Sequence, residues 1–258
     1  MTVPPKQDVA KFNKLARQLL ALLDGHDWRE LEKATAHLGL ASDEFSDLLG
    51  ELQRFGLALE RDDELGVRLV SGVQLLDRDR IAAELTHPLR ASLNRFDVDP
   101  VVDSTNSVAL RWLQQGGTGR AVFLAEKQIK GRGRRGRSWV GPMARNIYLS
   151  VVWPIADLER SLEGFSLVTA LSVVAGLRAA GIEGGDRLRV KWPNDVWLDG
   201  GKLAGILLEL QTAGNNAPAH VVIGLGINVA MPEDSRAEIQ TSVSDLASSS
   251  QVIRDRNA

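Results

Sequence analysis

Apolar residues recur at helical spacing at the start of the chain. Phe12, Leu15, Leu19, Leu20, Leu22 and Leu23 predict a helix over 9–24. A second helix is expected over 28–38, with Asp27 as N-cap and Glu30 completing a capping-box pair. The turn Gly39-Leu40-Ala41-Ser42 leads to a third helix, capped by Ser42 and ending near Gly56. Two strands, Leu57 to Arg61 and Gly66 to Val70, flank the polar turn Asp62-Asp63-Glu64. A helix, a helix-turn-helix and a hairpin, in that order, make a winged helix-turn-helix arrangement. Residues 71–95 read as a connector with a short helix from Asp79 to Leu85.

From about residue 96 the pattern mixes strands and helices. Strands are expected at Ala121–Ala125, Asn146–Trp153, Leu188–Lys191, Asp195–Leu198, Lys202–Glu209 and His220–Leu225. Asp199-Gly200-Gly201 is a tight hairpin signal between two of them. Helices are expected at Thr105–Gln114 and Leu162–Ala180, the latter with Phe165, Val168, Leu171 and Val174 on one face. Adjacent hairpin strands with two long helices indicate an α+β fold built on a mixed or antiparallel sheet, not a regular βαβ array. The expected division is 1–72 for the winged module, 73–95 for the connector and 96–258 for the second domain.

The balance of 44 % hydrophobic and 25 % charged residues over 258 positions supports a sizeable buried core. No apolar run approaches membrane-spanning length, and the N-terminus has no signal-peptide core, so membrane partners are not expected. The absence of cysteine excludes disulfides, thiolate metal sites and cysteine nucleophiles, and makes a reducing cytoplasm the default. Net charge is only −2. The basic excess gathers between Lys127 and Arg137, which suggests a local anion site.

Four segments carry chemistry. The first is Gly131-Arg132-Gly133-Arg134-Arg135-Gly136-Arg137-Ser138-Trp139. Its glycines match a dinucleotide fingerprint, but Trp139-Val140-Gly141-Pro142 follows, and Gly and Pro forbid the helix that reading needs. A glycine loop that brings four guanidinium groups to a phosphate or carboxylate fits better. Such like charges repel one another, so the loop should order over its ligand. A solvated basic patch or a nucleic-acid surface is the plainer reading. The second segment is Arg189-Val190-Lys191-Trp192-Pro193-Asn194-Asp195, followed by Lys202-Leu203-Ala204-Gly205-Ile206. Lys191 at a rigid Trp-Pro turn suits a phosphate or a carboxylate under attack, or is merely an edge-strand lysine. In the third, Gly224-Leu225-Gly226-Ile227-Asn228-Val229, small residues leave room for a flat ligand or for a close strand crossing. The fourth, Asp103-Ser104-Thr105-Asn106, opens a helix and offers free N–H groups and hydroxyls. The histidines His26, His37, His87 and His220 are scattered, and no protein metal site is expected.

In this order the four segments resemble the bacterial biotin–protein ligase family from about Val102 to Asn228, above all in GRGRRGRSW and KWPNDVWLDGGKLAGILLE. The resemblance implies a mixed sheet of the biotin/lipoate ligase and class II synthetase type. It implies two steps: biotin and MgATP give biotinyl-AMP and pyrophosphate, and a lysine of the biotin carboxyl carrier protein of acetyl-CoA carboxylase then displaces AMP. It assigns Ser104, Thr105, Asn106 and Gln128 to biotin, with Gly131, Arg132, Gly133 and Arg134 of the loop. Gly205, Gly224 and Ile227 would line the pocket, with Ile227 on the adenylate side. Lys191, Arg132 and Arg134 would be the catalytic cations, beside the carboxylate and α-phosphate. Arg135, Arg137, Trp139, Asn146 and Asn228 would hold the adenylate, and magnesium would come with ATP.

The resemblance also implies a homodimer and, in bifunctional members, operator DNA. Here the would-be recognition helix carries Asp43, Glu44, Asp47 and Glu51 against Arg54, which disfavours a DNA reader. The alternative is a module kept for packing or dimer control. Relatives continue into a small SH3-like barrel, so this chain is expected to be truncated at its C-terminus. A lipoate-type acyl ligase and a non-enzymatic biotin-sensing regulator are the competing functions.

Overall fold

The computed structural model describes residues 6–155, 162–182, 187–212, 219–237, 239, 241–249 and 255–257. Helix α1 spans Lys6–Leu23, α2 Leu31–Leu38 and α3 Ser42–Arg54. Strands β1 (Leu59–Asp62) and β2 (Gly66–Leu69) pair antiparallel after them.

Two helix starts differ from expectation. Residues 27–30 are extended, because Arg29 exchanges both backbone hydrogen bonds with Val67 of β2 at 2.9 Å. Glu30, not Asp27, therefore precedes α2. Gly66 (φ 104°) permits this crossing, since a Cβ there would lie 2.0 Å from the Arg29 carbonyl oxygen. Ser42 is the first residue of α3; Ala41 caps it, its N–H donating to the Glu44 carboxylate at 3.1 Å.

The N-terminal core unites Leu19 and Leu23 of α1 with Leu49 and Leu52 of α3 and Val67 and Leu69 of β2. It continues without a break into Val101, Met143 and Ala144. Asn13 of α1 fastens it further, donating to the Val101 carbonyl at 2.6 Å and accepting from the Val101 N–H at 3.1 Å.

Helices α4 (Arg78–Glu84) and α5 (His87–Ala91) lead into β3 (Leu93–Val102), a strand that the apolar pattern did not reveal. It pairs parallel with β4 (Arg120–Gln128) at the edge of a seven-stranded sheet. An edge position tolerates Asp97, Asp99 and Pro100, which would break a central ladder. The other strands are β5 (Ile147–Ile155), β6 (Leu188–Lys191), β7 (Asp195–Leu198), β8 (Gly201–Gln211) and β9 (Ala219–Ile227). The order β3-β4-β5-β9-β8-β7-β6, antiparallel beyond β4, is the expected mixed sheet.

Helix α6 (Thr105–Gln114) packs on β4, β5 and β9 through Ala109, with Ala121, Phe123, Val152 and Val222 forming one apolar cluster. Helix α7 (Leu162–Ala179) packs on β6, β7 and β8. Its buried positions are Ser166, Ala170, Val174 and Leu177, while Val168 is 61 % and Leu171 54 % exposed. The face read from sequence is thus corrected: only Val174 of the four expected residues is buried. The helix is apolar nearly all round, and the small Ser166 and Ala170 let it approach the sheet closely. Two short helices, α8 (Glu233–Ala237) and α9 (Leu246–Ser249), follow β9. Among the described residues no helix is long and apolar enough to cross a membrane.

Candidate functional site

The arginine loop leaves β4 at Gln128 and folds back on itself. Trp139 N–H donates to the Gly131 carbonyl at 2.9 Å, Gly133 N–H to the Arg137 carbonyl at 2.7 Å, and Arg132 bridges Ser138. A Cβ on Gly131 would meet the Trp139 carbonyl oxygen at 2.4 Å, so only glycine closes the loop this tightly. The turn needs Arg135 (φ 57°) and Gly136 (φ 72°) in the left-handed region. Arg134, Arg135 and Arg137 are exposed, and among the described residues no carboxylate pairs with them.

The loop covers a cavity of about 910 Å³, lined by residues 129–138, Asp103, Ser107, Ser166, Trp192, Pro193 and Ile206–Glu209. A second cavity, about 40 Å³, lies at the start of α6. Its wall includes Ser104, Thr105, Asn106, Gln128, Arg132, Arg134, Lys202, Gly205 and Gly224. Arg132, Gly133 and Arg134 border both.

Behind the second cavity lies a buried polar chain. Thr105 N–H donates to Gln128 Oε1 at 2.8 Å, and Ser150 Oγ stands 2.6 Å from Asn106 Oδ1 and 2.7 Å from Thr105 Oγ1. Because Asn106 Oδ1 can only accept, the single Ser150 proton goes to it. Asn106 Nδ2 donates to Glu209 Oε2 at 2.7 Å. Gly224 allows this packing, since a Cβ there would sit 2.3 Å from Asn106 Oδ1. Asp103 fixes the same helix start through Arg111, at 2.6 and 3.0 Å. Burial pushes the Asp103 carboxyl up, but hydrogen bonds from Arg111 and the Ser104 N–H outweigh it and hold the group below the usual carboxylate range.

The floor is flat where Gly205 of β8 and Gly226 of β9 face each other in register. The Trp139 indole lies on both: added Cβ atoms would approach its ring to 2.8 and 2.4 Å. Lys202 Nζ stands 5.4 Å from the indole centroid and 2.8 Å from Asp195 Oδ1. Trp139 Nε1 is buried against Gly226, with no acceptor among the described residues.

The structure therefore gathers Ser104, Thr105, Asn106, Gln128, Gly131, Arg132, Gly133, Arg134, Trp139, Gly205 and Gly224 about one site. Arg135 and Arg137 border the larger cavity. Four expected residues stand elsewhere. Lys191 lines neither cavity; its Nζ sits 3.9 Å over the Trp197 ring, where a cation–π contact holds it. Lys202 lines the smaller cavity instead, a residue quoted within the motif but given no role. Asn146 and Asn228 are buried and committed to the protein. Asn146 accepts from the Val229 N–H at 3.0 Å, and Asn228 donates to the Lys202 and Ser244 carbonyls at 3.2 and 3.3 Å. Ile227 is packed in the apolar core of the sheet. Glu209 and Ser150 are site residues that sequence reasoning also missed, and Glu209 is the charged one of the two. Its only sequence signal is a lone carboxylate interrupting the apolar run Ile206-Leu207-Leu208.

An arginine loop over a mixed sheet, beside a polar pocket at a helix start, makes a site for a ligand with a polar end and an anionic one. The chain belongs to the biotin/lipoate A/B protein ligase family, whose pattern matches residues 98–228. It is 38 % identical over 213 residues to the bifunctional ligase/repressor BirA of Salmonella typhimurium, covering 83 % of this chain and 63 % of that protein. Against BirA of Escherichia coli it is 36 % identical over 221 residues, covering 86 % and 65 %. Against the biotin–[acetyl-CoA-carboxylase] ligase of Paracoccus denitrificans it is 45 % identical over 141 residues, covering 52 % and 55 %. The chain thus spans just under two thirds of the length of the two BirA relatives. Among solved structures it is similar to biotin protein ligase from Aquifex aeolicus in complex with biotin and ATP, with TM-score 0.47 and 28 % identity over 60 % of this chain and 61 % of that one.

Proposed function

We propose that this chain is an ATP-dependent biotin–protein ligase. The observation that carries the reading is the shared wall of the two cavities. Arg132 and Arg134 face a large space on one side and the Thr105–Gln128–Ser150–Asn106 chain on the other. A ligand with a neutral, hydrogen-bonding ring at one end and an anion at the other fits that division. The volume suits a compact ligand joined to a nucleotide. Relatives from Paracoccus denitrificans and Mycobacterium tuberculosis are named as biotin ligases, which points to biotin as the acid rather than lipoate.

In the first step a biotin carboxylate oxygen bonds to the α-phosphorus of ATP. The bond to the bridging oxygen breaks, and pyrophosphate leaves. Both reactants are anionic, so repulsion and alignment make up much of the barrier. Arg132, Arg134 and Lys202 supply fixed positive charge where negative charge gathers. The Asp195 contact keeps the Lys202 ammonium beside the glycine floor instead of free in water. Trp139 and its glycine bed offer a flat surface for the adenine. Among the described residues no group of three or more His, Asp or Glu converges, and magnesium would enter with ATP, held by its phosphates. In the second step the amine of a carrier lysine bonds to the acyl carbon, AMP leaves, and the amine releases a proton.

The N-terminal unit exposes Asp43, Glu44 and Asp47 along α3 and Asp62, Asp63 and Glu64 at the hairpin. A surface of that sign repels phosphate and supports packing on the sheet over reading operator DNA, whereas the name ligase/repressor of the two BirA relatives supports the DNA reading; a gel shift at low salt with biotin and ATP decides between them. Incubation with biotin, MgATP and the carrier domain of acetyl-CoA carboxylase tests the main reading. One biotin should be added to the carrier by mass, and lipoate in its place should add nothing. An unmodified carrier, with no ATP–pyrophosphate exchange, would refute it.

A further inference from the structure

We propose that Glu209 is a positioning residue. It holds Arg132 by Nη2 so that the Nε and Nη1 N–H groups are left for the acyl-phosphate, and this role rests on the ligase reading above. Arg132 Nη2 donates to both Glu209 oxygens, at 3.1 and 3.0 Å. Among the described residues no other side chain makes a hydrogen bond or ion pair with Arg132, so Nε and Nη1 remain for a ligand. A guanidinium carries five donors in a rigid fork, and occupying one nitrogen orients the rest.

Glu209 is itself held. Its Oε2 accepts from Asn106 Nδ2 at 2.7 Å, and Asn106 is 3 % exposed. Through Ser150 and Thr105 that contact runs back to Gln128, the residue from which the arginine loop departs. The stem of the loop is thereby tied to its own root by way of β8, β5 and α6. Binding at the polar pocket and placement of Arg132 share one carboxylate. Among the described residues the remaining loop arginines have no carboxylate partner, so Glu209 orients Arg132 alone among them.

The opposite role, a carboxylate that mimics the ligand and blocks it, would require the ligand to displace Glu209. Contact through a single nitrogen leaves that displacement unnecessary. The two roles give opposite kinetics. Glu209→Gln keeps an oxygen for Asn106 and removes the charge that holds Arg132. Release of preformed biotinyl-5′-AMP from the full chain should become about three- to fivefold faster, the equivalent of one partly exposed charged contact. The KM for biotin should rise more than kcat falls. In an Arg132→Ala background the same substitution should add nothing.

Slower release, unchanged release, or additive effects of the two substitutions would overturn the role. If Glu209→Gln does not fold, Glu209→Asp carries the same measurements, with release intermediate between wild type and Arg132→Ala expected. A wild-type chain that forms no biotinyl adenylate overturns the ligase reading and this role with it. That failure is recognised because it precedes any substitution.

Discussion

Two lysines eleven positions apart separate by what their strands do to them. Lys191 ends β6 with its ammonium on the Trp197 ring, whereas Lys202 begins β8 and reaches the glycine floor beneath Trp139. A bulge between Val196 and Trp197 sets Lys202, not Leu203, opposite Trp197, and a two-residue hairpin signal cannot reveal that shift. The consequence is measurable. Lys202→Ala should lower the rate of ATP–pyrophosphate exchange on the order of a hundredfold, the usual cost of one preorganised charge at a reacting centre. Lys191→Ala should leave that rate within about threefold, because removing a cation–π contact on exposed sheet costs about 1 kcal/mol or less. Equal losses from the two substitutions would return Lys191 to the site.

At the scale of elements, α7 shows how a helix that is apolar on every side hides its buried face. Spacing alone selects Phe165, Val168, Leu171 and Val174; the sheet selects Ser166, Ala170, Val174 and Leu177. Leu177→Ala should therefore destabilise the protein by about 2 kcal/mol in denaturant unfolding, the low end for a buried leucine. Val168→Ser should stay within about 0.5 kcal/mol. A reversal would restore the face read from periodicity. By the same physics α6 was legible to the residue, because a polar start, one apolar stripe and a glycine stop agree. The strands β6 and β7 were legible too, flanking a Trp-Pro turn and ending at Asp-Gly-Gly. Strand β3 was not, since Asp97, Asp99 and Pro100 read as loop until an edge is known to accommodate them. At the site the arginine loop, the α6 start and the glycine pair were readable from residue type. Glu209 was not, because its meaning lies in Asn106 and Arg132, each about a hundred positions or fewer away in sequence and joined only by the fold.

For the whole molecule, the segment Asp255–Asn257 acts as a bolt between the connector and the sheet. Arg256 Nη1 donates to Glu126 Oε2 of β4 at 2.8 Å and to the Asn146 carbonyl at 3.0 Å, and Nη2 donates to the Gln74 carbonyl. Asn257 accepts from the Asp77 N–H at 2.7 Å and donates to the Leu75 carbonyl at 3.0 Å. Side chains of the pair are only 5 % and 4 % exposed. An ion pair so deeply buried contributes little net stability against an apolar pair of the same shape, because desolvation offsets attraction. Breaking it is another matter. Glu126→Ala leaves a buried guanidinium without its carboxylate and should cost about 3–5 kcal/mol. The double substitution Glu126→Leu with Arg256→Met should cost clearly less than Glu126→Ala alone. Since the N-terminal core runs on into Val101 and Met143 and the bolt spans the connector, helix and sheet signals should lose structure in one transition in the wild type. A double substitution as damaging as the single one would mean that the pair contributes more than it costs to bury. Two separate transitions in the wild type would mean that the N-terminal helices stand free of the ligase sheet.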